Sequence, residues 1–349
     1  MQDSFPRVSI IILNWNGKDL LPSCLESLRR QTFRDFEIIL VDNGSTDGSV
    51  PWVQQHFPGV RVCALERNLG FAGGNNVGIR QARGMFIALL NNDTESDVRW
   101  LEELMKALAA HPEAGFCASK LVFYHQRNLI DTAGDYFSIA GSAGKLGHLD
   151  QADKPEYNQL REVFGACAGA ALYRKEMLDE IGLFDEDFFV SFEDVDLSFR
   201  AQLKGYKCLY VPTAIVRHRV HGTIQKNSPA YVYYGHRNLE YVYLKNMPGS
   251  LIVKYFLLHV LEEMIAFGFF LTQGRGLDFL KGKWDALRAL PKLLDKRRQI
   301  QQSRSVSTEY IRTMMRRDWW SLKWARWRRL RDFAQVGEDV EVGSVLRGK

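Results

Sequence analysis

Four short apolar runs, at residues 8–13, 36–41, 60–65 and 85–90, alternate with four amphipathic stretches, at 20–28, 50–57, 75–82 and 100–110. This βαβαβαβα order constrains the chain more than any other feature. Strands that return in the same direction need helical crossovers, and the resulting mostly parallel sheet must be covered by helices on both faces. Ligands of such sheets bind beyond the carboxyl ends of the strands. Each run here ends in polar or glycine-rich residues: Asn14-Trp15-Asn16-Gly17, Asp42-Asn43-Gly44-Ser45, Asn68-Leu69-Gly70 and Asn91-Asn92-Asp93. Four loops are therefore expected to converge on one cleft.

A chain of 349 residues, 46% hydrophobic and 12% aromatic, can bury a substantial core. Its five cysteines are widely spaced and never form a CxxC pair, which argues against a disulfide framework or a zinc ribbon and suits a reducing cytosol. The run at 8–13 is too short for a secretory signal and follows Asp3 rather than a basic stretch.

The net charge of +5 is unevenly divided. Residues 281–332 hold 16 Lys+Arg against 5 Asp+Glu, a net +11, whereas residues 1–280 hold 28 against 33, a net −5. A basic block can serve a nucleic acid, an anionic membrane or solvent alone. Within it Trp320, Trp324, Trp327 and Leu330 recur at helical spacing among arginines. That pattern reads as an interfacial membrane helix, or as a terminal helix packed through its tryptophans. No nucleic-acid partner is expected. The apolar stretch 251–272 is interrupted by Lys254, His259, Glu262 and Glu263, and it is not expected to span a bilayer, which takes ~20 mostly apolar residues. The chain divides into residues 1–245, with halves at 1–113 and 114–245, and a helical, basic, membrane-associating region at 246–349.

Three groups of residues suggest chemistry. Asp42, at the end of an apolar run and followed by Gly44 and Ser45, can accept the imide N–H of uracil or thymine, although an Asx turn and helix cap would use the same residues. Asp93 can hold a divalent cation against a diphosphate, with His218 expected as a second ligand in preference to His221 or His236. The cluster Glu193-Asp194-Val195-Asp196 opens a helix beside Phe188, Phe189 and Phe192. Acids suit a helix start in any case, but beside aromatics a carboxylate can have its pKa tuned for proton removal. Asp194 is the expected base and Glu193 the alternative. The stretch 67–78 is glycine-rich without being a Walker or dinucleotide fingerprint, and it offers donors along the sheet edge.

Taken in order, Val8-Ser9-Ile10-Ile11-Ile12-Leu13-Asn14, Val41-Asp42-Asn43-Gly44-Ser45-Thr46-Asp47, Asn68-Leu69-Gly70-Phe71-Ala72-Gly73-Gly74-Asn75-Asn76, Leu90-Asn91-Asn92-Asp93-Thr94 and Phe192-Glu193-Asp194-Val195-Asp196-Leu197 resemble the family 2 glycosyltransferases of the GT-A fold, especially bacterial rhamnosyltransferases of cell-surface polysaccharide synthesis. The resemblance implies an α/β, Rossmann-like, mostly parallel sheet with helices on both faces, followed by C-terminal amphipathic helices. It implies that Asp42 contacts the base, that Asp93 ends a DxD-like motif whose first position is Asn91, and that Asp194 is the base of an inverting displacement. The expected nucleotide-binding set is Asn14, Asn16, Asp42, Ser45, Asn68, Gly70, Asn75 and Asn92. The expected metal ligands are Asp93 and His218, with Mg2+ or Mn2+ as cofactor. The expected donor is dTDP-L-rhamnose, or alternatively a UDP-sugar, and the acceptor a lipid-linked saccharide at the cytoplasmic face of the inner membrane, where the protein would sit peripherally on an anionic surface. A nucleotidyltransferase would want a basic Gly-rich loop after the first strand, and a non-catalytic carbohydrate-binding protein would have lost Asp93 or the acidic cluster.

Overall fold

The computed structural model describes residues 5–220 and 227–336, the side chains of 326, 327 and 330–336 excepted. The first part is the expected alternation: β1 (Val8–Asn14), α1 (Leu21–Arg29), β2 (Phe36–Asp42), α2 (Ser49–His56), β3 (Arg61–Ala64), α3 (Gly70–Gln81), β4 (Phe86–Leu90), a short β5 (Thr94–Ser96) and α4 (Trp100–Ala110). β4, β1, β2 and β3 lie side by side and parallel. The order reverses between β1 and β4, where an open α/β sheet forms its ligand crevice. Val8, Ile10 and Ile12 face α1 and α4, while Ile11 faces α3 and its neighbours. Both faces are apolar because both are covered, which is why the strands read as continuous apolar runs.

The second part adds β6 (Ala114–Phe123), β7 (Ile130–Thr132), β8 (Asp135–Phe137), β9 (Ala143–Lys145), β10 (Arg161–Val163), β11 (Ala170–Arg174), α5 (Lys175–Ile181), α6 (Glu193–Lys204) and β12 (Lys207–His218). β11 joins the sheet antiparallel between β4 and β6, and β12 runs parallel to β6. The glycine-containing polar stretch 131–150 is not simply a surface loop: β8 and β9 form a hairpin, and Asp131 and Asp135 are buried within this segment.

Six helices follow: α7 (Pro229–Asn246), α8 (Gly249–Thr272), α9 (Gly276–Arg288), α10 (Leu290–Gln302), α11 (Thr308–Met314) and α12 (Trp319–Val336). A third apolar cluster joins Val195, Phe199 and Leu203 of α6 to Val242 of α7, Leu251 of α8, Ala286 of α9, Leu293 of α10 and Ile311 of α11. The core thus continues across residue 245.

α3 begins at Gly70, five residues earlier than periodicity suggests. A Cβ at Gly74 would stand 2.4 Å from Leu13 Cδ1, and one at Gly78 2.4 Å from Ile11 Cγ2. The helix lies directly on β1, so close packing outweighs the poor helix propensity of glycine.

Candidate active site

The carboxyl ends of β1, β2 and β4 open into a cleft of about 1090 Å³. Its floor carries Asn91, Asn92, Asp93 and His218. One wall carries Trp15, Asn16 and Lys18, and the other Asn68, Gly70 and Phe71, with Phe189, Val190, Ser191 and Tyr231 across from them.

Asp93 and His218 meet as expected. β5 and β12 pair with Thr94 opposite His218, which brings His218 Nε2 to 3.2 Å from Asp93 Oδ1. The other ring nitrogen, Nδ1, lies 2.8 Å from Asp131 Oδ2. Asp131 is fully buried and also accepts from Lys145 Nζ at 2.8 Å through both oxygens. Burial works to lower the His218 pKa, but the Asp93 and Asp131 carboxylates overcome it and hold it at about 9. Burial likewise opposes ionisation of Asp131, and Lys145, His148 and His218 outweigh it, keeping that carboxyl well below its usual range. The donor set fits a divalent cation. One carboxylate oxygen and one imidazole nitrogen face each other at cis-ligand spacing, and a buried carboxylate fixes the ring from behind, the usual outer support of a metal-bound histidine. A cation here would take the place of the proton shared by Asp93 and His218. Nothing in the spacing of Asp131 announces this role, because its partners are 87 residues away and 14 residues away in sequence.

Asp194 stands at the first turn of α6, partly exposed. Its Oδ2 accepts from the Ala168 amide at 3.2 Å and its Oδ1 from the Val195 amide at 2.8 Å. Asp135, Cys167 and Asp194 bring ligand-type atoms within 4.8 Å of one another. A Cβ on Gly169 would stand 3.3 Å from Asn91 Nδ2 and 3.5 Å from Cys167 Sγ, so this cluster adjoins the cleft floor. Burial pushes the Asp194 carboxyl above its ordinary value, against the amides that favour its charged form. Burial and then the Asp194 charge hold Glu193 and Asp135 well above theirs. Glu193 is 5% exposed, and among the described residues its Oε2 has no hydrogen-bond partner, so it is more deeply enclosed than Asp194. Asp196 is wholly engaged by Arg200, Lys245 and Asn246.

The expected nucleotide-binding set divides in two. Asn16, Asn68, Gly70 and Asn92 line the cleft. Asn14, Asp42, Ser45 and Asn75 stand outside that lining, with polar atoms engaged by neighbouring residues. Asp42 is 2% exposed: its Oδ1 accepts from Asn14 Nδ2 at 3.0 Å and its Oδ2 from the Ser45 amide at 2.9 Å. Asn14 and Asp42 are register partners at the ends of β1 and β2, so two polar residues that would otherwise be stranded in the core satisfy each other. Ser45 Oγ accepts from the Asn16 amide at 2.8 Å. These three residues thereby shape the loops at the ends of β1 and β2. Asn75 lies inside α3, 2% exposed, with its amide donated to Phe71 O at 2.9 Å.

Two further features were not legible in sequence. Gly70 adopts φ +75°, and a Cβ there would stand 2.4 Å from Phe189 O; the Phe71 amide donates to that same oxygen at 2.6 Å, tying the two walls together. Phe189, Ser191 and Phe192 have φ of 62°, 73° and 66°, a conformation that costs of order 1–3 kcal/mol per residue unless its surroundings impose it. Asn238 of α7 imposes it: its Nδ2 donates to the carbonyls of Phe188, Val190 and Ser191 at 3.0, 2.8 and 2.8 Å.

An open sheet with a switch-point cleft, an acidic residue after β4 and a carboxylate at the start of α6 is the arrangement that the resemblance to GT-A glycosyltransferases implies. Among solved structures, GalNAc-T7 with UDP, GalNAc and Mn2+ superposes with a TM-score of 0.59 at 17% identity, covering 73% of this chain and 50% of that one. Residues 9–182 match the family described as Glycosyl transferase family 2, and the chain belongs to that family. The N-acetylglucosaminyl-diphospho-decaprenol L-rhamnosyltransferase of Mycobacterium tuberculosis is 26% identical over 272 residues, 70% of this chain and 85% of that protein. The O-antigen biosynthesis protein RfbC of Myxococcus xanthus is 29% identical over 231 residues, 61% of this chain and 17% of that protein. The chain spans about a quarter or less of the length of the first curated relatives it matches.

Proposed function

We propose that this glycosyltransferase transfers L-rhamnose from dTDP-L-rhamnose, with inversion, to a lipid-linked saccharide in cell-surface polysaccharide synthesis. The observation that carries the reading is the cleft floor itself, where Asp93 faces His218 and Asp194 stands nearby beyond Asn91 and Cys167. The donor sugar and the acceptor class are supported by the likeness to the mycobacterial rhamnosyltransferase, and UDP-sugars are the second reading because GalNAc-T7 was crystallised with UDP.

The diphosphate lies against Asn91, Asn92 and Asp93, and the nucleoside between the Trp15-Asn16 loop and Asn68. Asp93 and His218 would hold Mg2+ or Mn2+, which would supply positive charge against the leaving diphosphate. Asp194 takes the proton of the acceptor hydroxyl as that oxygen bonds to the anomeric carbon, on the side opposite the breaking bond to the diphosphate. The products are the inverted glycoside and the nucleoside diphosphate. Asp194 then returns its proton to solvent. Its raised pKa makes it a better proton acceptor than an ordinary carboxylate. The protein works peripherally at the cytoplasmic membrane face, where its basic C-terminal region meets anionic lipid.

Thermal protection and slow hydrolysis should be screened across dTDP-rhamnose, UDP- and GDP-sugars. dTDP-rhamnose is expected to protect and turn over best, and preference for a UDP- or GDP-sugar would replace the donor assignment.

A further inference from the structure

In sequence the apolar stretch of α8 is broken by polar and charged residues, and in the structure three of them, His259, Glu262 and Glu263, form one stripe turned inward while Lys254 stays exposed. His259 Nε2 lies 3.4 Å from a Glu240 oxygen on α7, and its Nδ1 lies 2.9 Å from Ala140 O. Glu263 pairs with Lys283 on α9, and Glu262 with Lys323 on α12. The polar stripe thereby fastens α8 to the body, and the opposite face is left bare. Val253, Leu257 and Met264 are 80%, 81% and 66% exposed.

α9 repeats the pattern. Phe279, Gly282 and Ala286 face inward, while Leu277, Leu280, Trp284 and Leu287, spaced three and four apart, are all exposed. Two adjacent helices of one hairpin with uncovered apolar stripes far exceed the scattered apolar residues of an ordinary surface. The charges sort as well. Lys254, Lys281 and Arg288 are the exposed charged residues of the hairpin, all cationic, and its acids are turned toward partners: Glu262 and Glu263 as above, Asp278 toward Arg275 and Asp285 toward the Tyr233 hydroxyl.

We propose that the outward faces of α8 and α9 form a membrane-docking surface, with the hairpin lying in the plane of an anionic phospholipid bilayer. The inference rests on the lipid-linked acceptor given under Proposed function. The cationic rim selects the occupant: anionic headgroups complement it, whereas a second copy would bring the same cations against themselves. α8 is long and apolar enough to cross a membrane by composition. Crossing would pull His259, Glu262 and Glu263 from their partners into hydrocarbon, whereas lying flat costs none of these contacts. The surface also bears on the cleft. Gly282 of α9 packs so closely on α7 that a Cβ there would stand 2.8 Å from Tyr233 O, two residues from cleft-lining Tyr231.

The test is flotation of the full chain with phosphatidylcholine vesicles, with and without phosphatidylglycerol. The parent should float with the anionic vesicles, and Leu257→Glu/Met264→Glu and Leu280→Glu/Trp284→Glu should each bind them about tenfold or more weakly. Met85→Glu, an exposed apolar control away from the hairpin, should bind like the parent. Donor hydrolysis should be unchanged throughout. Should the hairpin variants unfold, quenching of the parent by brominated lipid should fall on Trp284→Phe. Parent-like flotation of folded hairpin variants, unchanged quenching in Trp284→Phe, or a lipid-free dimer that these substitutions dissociate would overturn the proposal. A parent that docks through this face yet transfers only to soluble acceptors would sink the lipid-linked reading and leave the docking surface standing.

Discussion

Asp194 combines a partly exposed carboxylate with amide donors at 3.2 and 2.8 Å and a pKa raised by burial. Asp194→Asn is expected to lower turnover by ~100-fold or more with donor affinity nearly intact. A base works ionised, so turnover of the parent should fall as pH drops through a value above the ordinary 3.8 of an aspartate, and the variant should lose that limb. Unchanged turnover would remove Asp194 from the role. Asp131 stands outside the cleft lining and is hydrogen-bonded to His218. Asp131→Asn should weaken Mn2+ binding in the presence of nucleoside diphosphate by roughly 10–100-fold, read by calorimetry, with nucleoside binding unaffected. Full transfer activity in excess chelator would remove the metal from the mechanism.

At the scale of elements, α7 both shapes the cleft and holds the helical layer to the sheet. Asn238→Ala removes three donations to the strained loop at residues 188–192, and kcat is expected to fall at least ~10-fold because a small misplacement of the loop carries into the adjoining base. Rescue by Asn238→Gln would speak against such geometric control. Further along the helix, Lys245 is 1% exposed and bridges Asp185 and Asp196. Lys245→Met leaves two buried carboxylates short of a cation and should cost about 3–5 kcal/mol in urea unfolding. Burial opposes ionisation of both acids, but Lys245 outweighs it, aided by Lys296 at Asp185 and Arg200 at Asp196, so their folded pKa values lie below 3.8. Depressed carboxylates stabilise the fold above the unfolded value, and this contribution disappears as pH falls through the folded values. The parent should therefore lose stability below about pH 4, and Lys245→Met should lose less of it.

On the scale of the whole molecule, the basic C-terminal region is a structural layer as well as a charged one. Ala286, Leu293, Ile311 and Met315 are buried in the third cluster with α6, and the backbone of Arg316 hydrogen-bonds with Phe137 and Ile139. Removing everything after residue 280 should therefore unfold the chain or lower its Tm by more than 10 °C, roughly what the loss of several buried apolar side chains implies. A truncated chain with parental Tm would show that this layer is dispensable. In α12, Trp320 and Trp324 are 54% and 51% exposed, and Lys323 and Arg329 pair with Glu262 and Asp150. The helix is thus partly packed, with two of its tryptophans outward. The Trp327 side chain and His221 lie outside the described residues.

The alternating half of the fold was legible in the sequence because a covered parallel sheet writes itself as apolar runs of strand length separated by amphipathic helices. The same local signals located Asp93 after β4 and Asp194 at the start of α6, since both depend on a strand end or a helix start. The tertiary structure alone decided which polar residues remain open to a ligand. Asp42 and Asn14 look equally available in sequence, but parallel pairing of β1 and β2 sets them side by side and they satisfy each other. Asp131 looks like a loop residue, yet pairing of β7 with β6 buries it behind His218. The exposed apolar surface of α8 divides in the same way. Composition reports how many apolar and charged residues α8 contains, but which face each occupies follows from contacts with α7, α9 and α12, residues distant in the chain whose partners no local period can encode.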